Sequence, residues 1–75
     1  MTYEIGFLIP YNVDKIENWK EKLEREVKKI DEIFDELDLD YVFNDSVEAT
    51  SVAQLIKDRI GKTEVIIEIS VEKRE

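Results

Sequence analysis

Carboxylates are the side chains in this sequence whose number and spacing could support chemistry. The segment between Lys29 and Lys57 contains no lysine or arginine but eight acids, here called the acidic block: Asp31, Glu32, Asp35, Glu36, Asp38, Asp40, Asp45 and Glu48. Carboxylates at this density could form a catalytic pair, bind a divalent cation or attract a basic partner. Histidine and cysteine are absent, which excludes Ser-His-Asp and Cys-His catalysis and the usual zinc sites.

Catalysis by a carboxylate pair needs an enclosed cleft, which a chain of 75 residues rarely forms. The two glycines, Gly6 and Gly61, do not belong to a phosphate-binding loop motif. A calcium or magnesium site at 38–45 would lack the glycine and the glutamate of the EF-hand loop. We therefore expect no catalytic residue, no cofactor, no metal site and no enzymatic activity.

The charge balance indicates what kind of partner the chain could bind. It has 19 acids and 11 bases, giving a net charge of −8. Such a charge repels nucleic acid and anionic membranes and attracts basic surfaces. The sequence thus predicts a basic surface of another protein as the partner, the acidic block as the partner-binding residues, and no direct contact with nucleic acid or membrane.

The acidic block also departs from the rules of helix stability. If residues 13–37 form a helix, the pairs Asp31/Asp35 and Glu32/Glu36 place like charges at i, i+4, each costing about 0.2–0.5 kcal/mol. They also lie near the helix C-terminus, where the dipole disfavours acids by about 0.3–1 kcal/mol each. Departures of this kind concentrate at functional sites.

The elements that carry these residues can be predicted from periodicity. Residues 2–9 alternate as a strand, with Tyr3, Ile5, Phe7 and Ile9 on its buried face. A helix over 13–37 follows, beginning with an Asp14/Glu17 capping box. Its apolar stripe, at spacings of three and four, is Ile16, Trp19, Leu23, Val27, Ile30, Ile33, Phe34 and Leu37.

The second half of the chain is less clearly patterned. Residues 40–43 and 47–50 can form a hairpin around the turn signal at 44–46. A helix is then expected from a Ser51/Gln54 capping box to Gly61. The last predicted strand, 63–72, alternates between a buried and an outer face. Its buried residues are Val65, Ile67, Ile69 and Val71, and its outer residues include Glu64, Ile66, Glu68 and Glu72.

These elements make one α+β domain, residues 1–75, with the β-α-β-β-α-β order of a two-layer ferredoxin-like sandwich. If residues 45–60 are instead one helix, the fold becomes a three-stranded β-α-β-α-β layer with two helices on one face. Leu8, Val42 and Ile66 interrupt the polar outer face of the sheet and would suit a homodimer contact.

The sequence favours a non-enzymatic protein-binding domain that acts through an acidic surface. A sharper hypothesis, based on size and charge and not on a motif, is a small phage-type inhibitor that mimics nucleic acid at its binding site on a larger protein. The alternative is a structural or homo-oligomeric module, natural or designed, whose charge serves solubility. Without cysteine or a recognisable signal peptide, a cytoplasmic location is the default expectation.

Overall fold

The computed structural model describes all 75 residues and has three strands and two α-helices. The strands form one antiparallel sheet in the order β2-β1-β3. A 3-10 turn, Val13–Lys15, precedes the first α-helix. In chain order, the elements are β1 (Thr2–Leu8), α1 (Trp19–Glu36), β2 (Val42–Phe43), α2 (Ser46–Ile60) and β3 (Glu68–Arg74).

The α+β class is confirmed, but the six-element ferredoxin-like order is wrong, and the chain has the β-α-β-α-β order of the alternative. The segment predicted as a strand at 47–50 lies in α2. Asp45 begins this helix, because its side chain accepts a hydrogen bond from the Val47 backbone N–H at 3.2 Å. The predicted capping box at Ser51 is therefore inside the helix. Asn, Asp and Ser favour both turns and helix N-caps, which is why the sequence left both choices open.

The start of α1 also differs from the prediction. The chain becomes extended at Ile16, after the 3-10 turn, so the Asp14/Glu17 capping box does not form. Helix α1 begins after Asn18, which has a left-handed backbone (φ 59°) and makes no side-chain cap. Asparagine adopts this conformation more readily than most residues. The helix is consequently shorter than predicted, about 27 Å by its 18 residues.

Helix α2 lies at the centre of the fold. Its Cα atoms approach those of all three strands within 8 Å, whereas α1 makes its close backbone approaches to α2 and the 3-10 turn. Small side chains permit this, since Ala49 and Ala53 are both buried. One core cluster joins the sheet and both helices: Ile30, Ile33, Phe34, Phe43, Ala49, Val52, Ala53, Ile56, Ile66 and Ile69.

The central strand is paired unevenly. Strand β1 pairs with β3 along its full length, from Thr2↔Arg74 to Leu8↔Glu68, but β2 pairs only with Tyr3 and Glu4. The second half of β1 therefore has a strand neighbour on one side only. There the prediction of a buried face fails: the Phe7 side chain is 41% exposed and Ile9 is also exposed, whereas Tyr3 and Ile5 pack against the core.

The alternation predicted over residues 63–72 is confirmed from Glu68 onward, where Ile69 and Val71 pack in or against the core, but it is wrong before Glu68, because the chain entering β3 is irregular. Val65 and Ile66 are consecutive and both buried, while Ile67 is 60% exposed. Glu26 of α1 fixes this segment, because its Oε1 accepts hydrogen bonds from the backbone N–H groups of Glu64 (2.8 Å) and Val65 (3.3 Å). In a regular strand every second side chain would point outward, whereas in this anchored segment the consecutive residues Val65 and Ile66 are both buried.

The central position of α2 predicts a low tolerance for larger side chains. We expect Ala49→Leu to lower the free energy of unfolding by about 1–3 kcal/mol, because the added atoms overpack the helix–sheet contact. Ser51→Leu, on the exposed side of the same helix, is the control and should change it by less than about 0.5 kcal/mol. Urea unfolding followed by circular dichroism measures both. Equal effects of the two substitutions would contradict the packing described.

Candidate functional site

The structure exposes all eight acids of the acidic block but divides them among three segments. Four occupy the last turns of α1, two lie in the loop before β2, and two lie at the start of α2. They therefore have different local environments, and each group has its own electrostatic consequence.

The two acids at the start of α2 have a local structural role. Asp45 is the N-cap, and Glu48 lies in the first turn. Acids at this position are stabilised by the unpaired N–H groups and by the dipole of the helix. Their presence in the acidic block is thus accounted for without a partner.

Glu36 is also neutralised within the chain. Its Oε2 lies 2.9 Å from an Nη of Arg59, which joins the last turn of α1 to the last turn of α2. Both side chains are well exposed, so the pair contributes about 0.2–1 kcal/mol. Sequence reasoning missed Arg59 because the two residues are 23 positions apart and belong to different helices.

Five acids of the block have neither a cationic partner nor a helix N-terminus beside them, and we call them the α1 acidic surface: Asp31, Glu32, Asp35, Asp38 and Asp40. The second half of α1, from Ile30 to Glu36, holds four acids and no base, a net charge of −4. The first half, from Trp19 to Lys29, holds five bases and three acids, a net charge of +2. This order of charge is the reverse of what the helix dipole favours.

Asp38 ends α1 in a conformation that usually requires glycine. Its backbone is left-handed (φ 51°). The Asp38 N–H donates to the Asp35 carbonyl at 3.3 Å, and the Leu39 N–H donates to the Phe34 carbonyl at 2.9 Å. These two bonds form a Schellman motif with Asp38 at the C′ position. An acid at this position is disfavoured twice, by the left-handed backbone conformation and by the negative end of the helix dipole.

Tyr41 fixes the loop over the α1 acidic surface. Its ring stacks on the buried Phe34 ring, with 4.2 Å between centroids and 15° between planes. Its hydroxyl donates a hydrogen bond to Asp31 Oδ1 at 2.8 Å. This bond raises the pKa of the Tyr41 phenol above 10.0, and partial burial and the charges of Asp31 and Asp35 act in the same direction. The loop therefore holds Asp31 in one orientation.

Three glutamates on and beside the sheet have cationic partners within the chain. Glu4 and Glu72 both pair with Arg74, at 2.9 and 3.3 Å. Glu64 lies before the strand and pairs with Lys22 of α1 at 3.5 Å. Intramolecular cations thus offset these acids, whereas the α1 acidic surface has none.

Comparison of the chain with protein-family models, with curated proteins and with solved structures found no match in any of the three. Residues in the structure supply no group of three or more acids placed to hold a metal ion. Neither helix combines the length and the apolar character needed to cross a membrane. A functional assignment must therefore rest on the charge and geometry of the residues themselves.

The Tyr41–Asp31 bond predicts a measurable titration. Because the pKa of Tyr41 is higher in the folded chain than in the unfolded chain, the bond stabilises the fold below pH 10 and this contribution is lost as pH rises through the folded-state pKa. Asp31→Ala should lower the pKa of Tyr41 towards its ordinary value, as measured by NMR of ring-labelled tyrosine. Asp14→Ala, in the 3-10 turn, is the control and should leave it unchanged. An unaltered pKa in Asp31→Ala would contradict the bond.

Proposed function

We propose that this chain is a non-enzymatic binding domain whose α1 acidic surface contacts a basic surface of another protein. The observation that carries the proposal is that these five acids are exposed, lack a cationic partner and are concentrated around one helix end that disfavours them. An exposed group of unpaired acids attracts cationic partners and raises their association rate.

The location of the charge supports a partner more than a role in solubility. Solubility requires net charge, which any exposed positions could supply. The same helix has five bases in its first half, so exchanging the two halves would keep the net charge and suit the dipole better. Asp38 adds a further cost, because glycine would be the favourable residue at its left-handed position.

The sharper form of the proposal is that the partner surface is a nucleic-acid-binding site. Arginine and lysine bind phosphate and carboxylate through the same charge-assisted hydrogen bonds. Side chains at i, i+4, such as Asp31 and Asp35, lie about 5–6 Å apart at their Cβ atoms. A row of carboxylates at this spacing resembles a nucleic-acid backbone, because both present regularly repeated anionic groups to a basic groove. The domain would then act as an inhibitor by occupying that groove.

A second candidate function is self-association, and one observation favours it. The second half of β1 has a free edge and exposes Phe7 and Leu8, and the segment that follows exposes Ile9 and Tyr11, the last being 98% exposed. Exposed strand edges pair with other strands. Of the residues first considered for a homodimer, Leu8 and Val42 are exposed, but Ile66 is buried and could not take part.

The binding proposal predicts a position-specific charge effect. The triple variant Asp31→Asn, Asp35→Asn and Asp38→Asn should weaken binding to a fluorescent arginine-rich peptide, measured by anisotropy. Each exposed charge contributes about 0.2–1 kcal/mol, so the three substitutions together should weaken binding by about threefold to about 150-fold in Kd. Wild-type binding should also weaken as salt concentration rises.

The control makes the same change in net charge elsewhere: Asp14→Asn, Glu17→Gln and Glu21→Gln, all exposed residues near the start of α1. It should retain most of the affinity. Equal losses in the two triple variants would show that only net charge matters and would contradict a localised site. If wild type binds no peptide but sedimentation shows a dimer that Leu8→Ser dissociates, self-association is the better account.

A further inference from the structure

The sheet has one edge at β3 and a second, shorter one along β1, and the two differ in charge. Strand β3 has charged side chains at four of its seven positions: Glu68, Glu72, Lys73 and Arg74. Charged side chains on an edge strand discourage it from pairing with another chain. The second edge is Ile5–Leu8, the part of β1 beyond the two residues that pair with β2, and we call it the open edge. It contains no charged residue.

The absence of charge extends past the open edge. Residues 5–13 form the longest run without Asp, Glu, Lys or Arg, in a chain of which 40% of the residues are charged. Two copies of a protein with a net charge of −8 repel each other. An uncharged segment is therefore the place where two copies can meet without bringing like charges into direct contact.

The open edge exposes both side chains and backbone. Phe7 and Leu8 are 41% and 50% exposed, and as neighbours in a strand they point to opposite faces of the sheet. Outside the strand ladders, one backbone hydrogen bond reaches this edge, from the Ile67 N–H to the Leu8 carbonyl at 2.8 Å. The N–H and C=O groups that point away from β3 therefore have no partner within the chain.

We propose that the open edge pairs with the open edge of a second copy, in antiparallel orientation across a two-fold axis. Such an axis makes one segment serve as both partners, so the free N–H and C=O groups of the two copies form an antiparallel ladder. Phe7 and Leu8 then pack against the other copy, one on each face of a continuous β3-β1-β1-β3 sheet. The ladder ends after Ile5–Leu8, because β2 fills the same side of Tyr3 and Glu4.

The inference rests on the second candidate function, self-association, and adds the surface and the mode of pairing. It does not involve the α1 acidic surface, whose binding to a basic partner can succeed or fail independently. Salt separates the two interactions, because it screens the attraction of acids for a basic partner and also the repulsion between two copies of charge −8. Partner binding should weaken with salt, and pairing of the open edges should strengthen.

Sedimentation velocity at protein concentrations from about 10 μM to about 1 mM tests the pairing, because so short a ladder makes a small interface of the transient class. We expect a monomer–dimer equilibrium that shifts towards the dimer as salt concentration rises. NMR of a mixture of isotope-labelled and unlabelled chains should show contacts between the Ile5–Leu8 segments of two copies.

Leu8→Lys is the decisive variant. It places a charge in the contact and should raise the dissociation constant of the dimer about tenfold or more, because a buried leucine is lost from both copies. Val27→Lys makes the same charge change at an exposed valine of α1, and as the control it should leave the dissociation constant unchanged. If circular dichroism shows that Leu8→Lys is unfolded, Phe7→Lys supplies the same test.

Each contrary result overturns the inference in a distinguishable way. A monomer under all conditions would overturn both the pairing and self-association. A dimer that Leu8→Lys does not weaken, or that Val27→Lys weakens equally, would retain self-association but assign it to another surface. A dimer that dissociates as salt rises would depend on attraction between charges and not on the open edge. The binding of an arginine-rich peptide tests the α1 acidic surface separately from all of these.

Discussion

The packing of Ile30, Ile33 and Phe34 against the core is the interaction on which the rest of the structure depends. Helix α1 has a weak intrinsic basis: no side-chain cap at Asn18, an excess of bases in its first half and acids alone in its second. In proteins, most of the stability of a helix comes from tertiary packing of its apolar face. Burial of one apolar stripe must therefore hold α1 in place, and with it both charged regions of the molecule.

That burial separates two electrostatic environments along one helix. The first half of α1 combines with the chain after α2 to line a cavity rich in bases beside Glu26, and the second half presents acids that no cation neutralises apart from Glu36. The order of charge along α1 therefore opposes the helix dipole in both halves of the helix.

Much of the fold could be predicted from local pattern, and the failures have physical reasons. The first strand, the end of α1 near Leu37 and the helix stop at Gly61 (φ 66°) follow from periodicity and backbone preference. The start of α2 was ambiguous because Asp45 suits a turn and an N-cap equally. The burial of Ile66 was unpredictable because Glu26, 39 residues from Val65, fixes that segment.

The candidate site was predictable only in outline. Exposure of the eight acids follows from their type, but the partners that neutralise or orient them do not. Arg59 reaches Glu36 from another helix, and Tyr41 reaches Asp31 only because its ring stacks on Phe34.

The central claim is that the acidic end of α1 opposes folding. The most direct test measures the free energy of unfolding at low salt for two single variants, Asp35→Asn and Glu21→Gln, each compared with wild type. We predict that Asp35→Asn raises it by about 0.3–1 kcal/mol and that Glu21→Gln, in the first turn, lowers it by a similar amount. A decrease or no change in Asp35→Asn would mean that the acids carry no cost, and the argument for a cationic partner would fail.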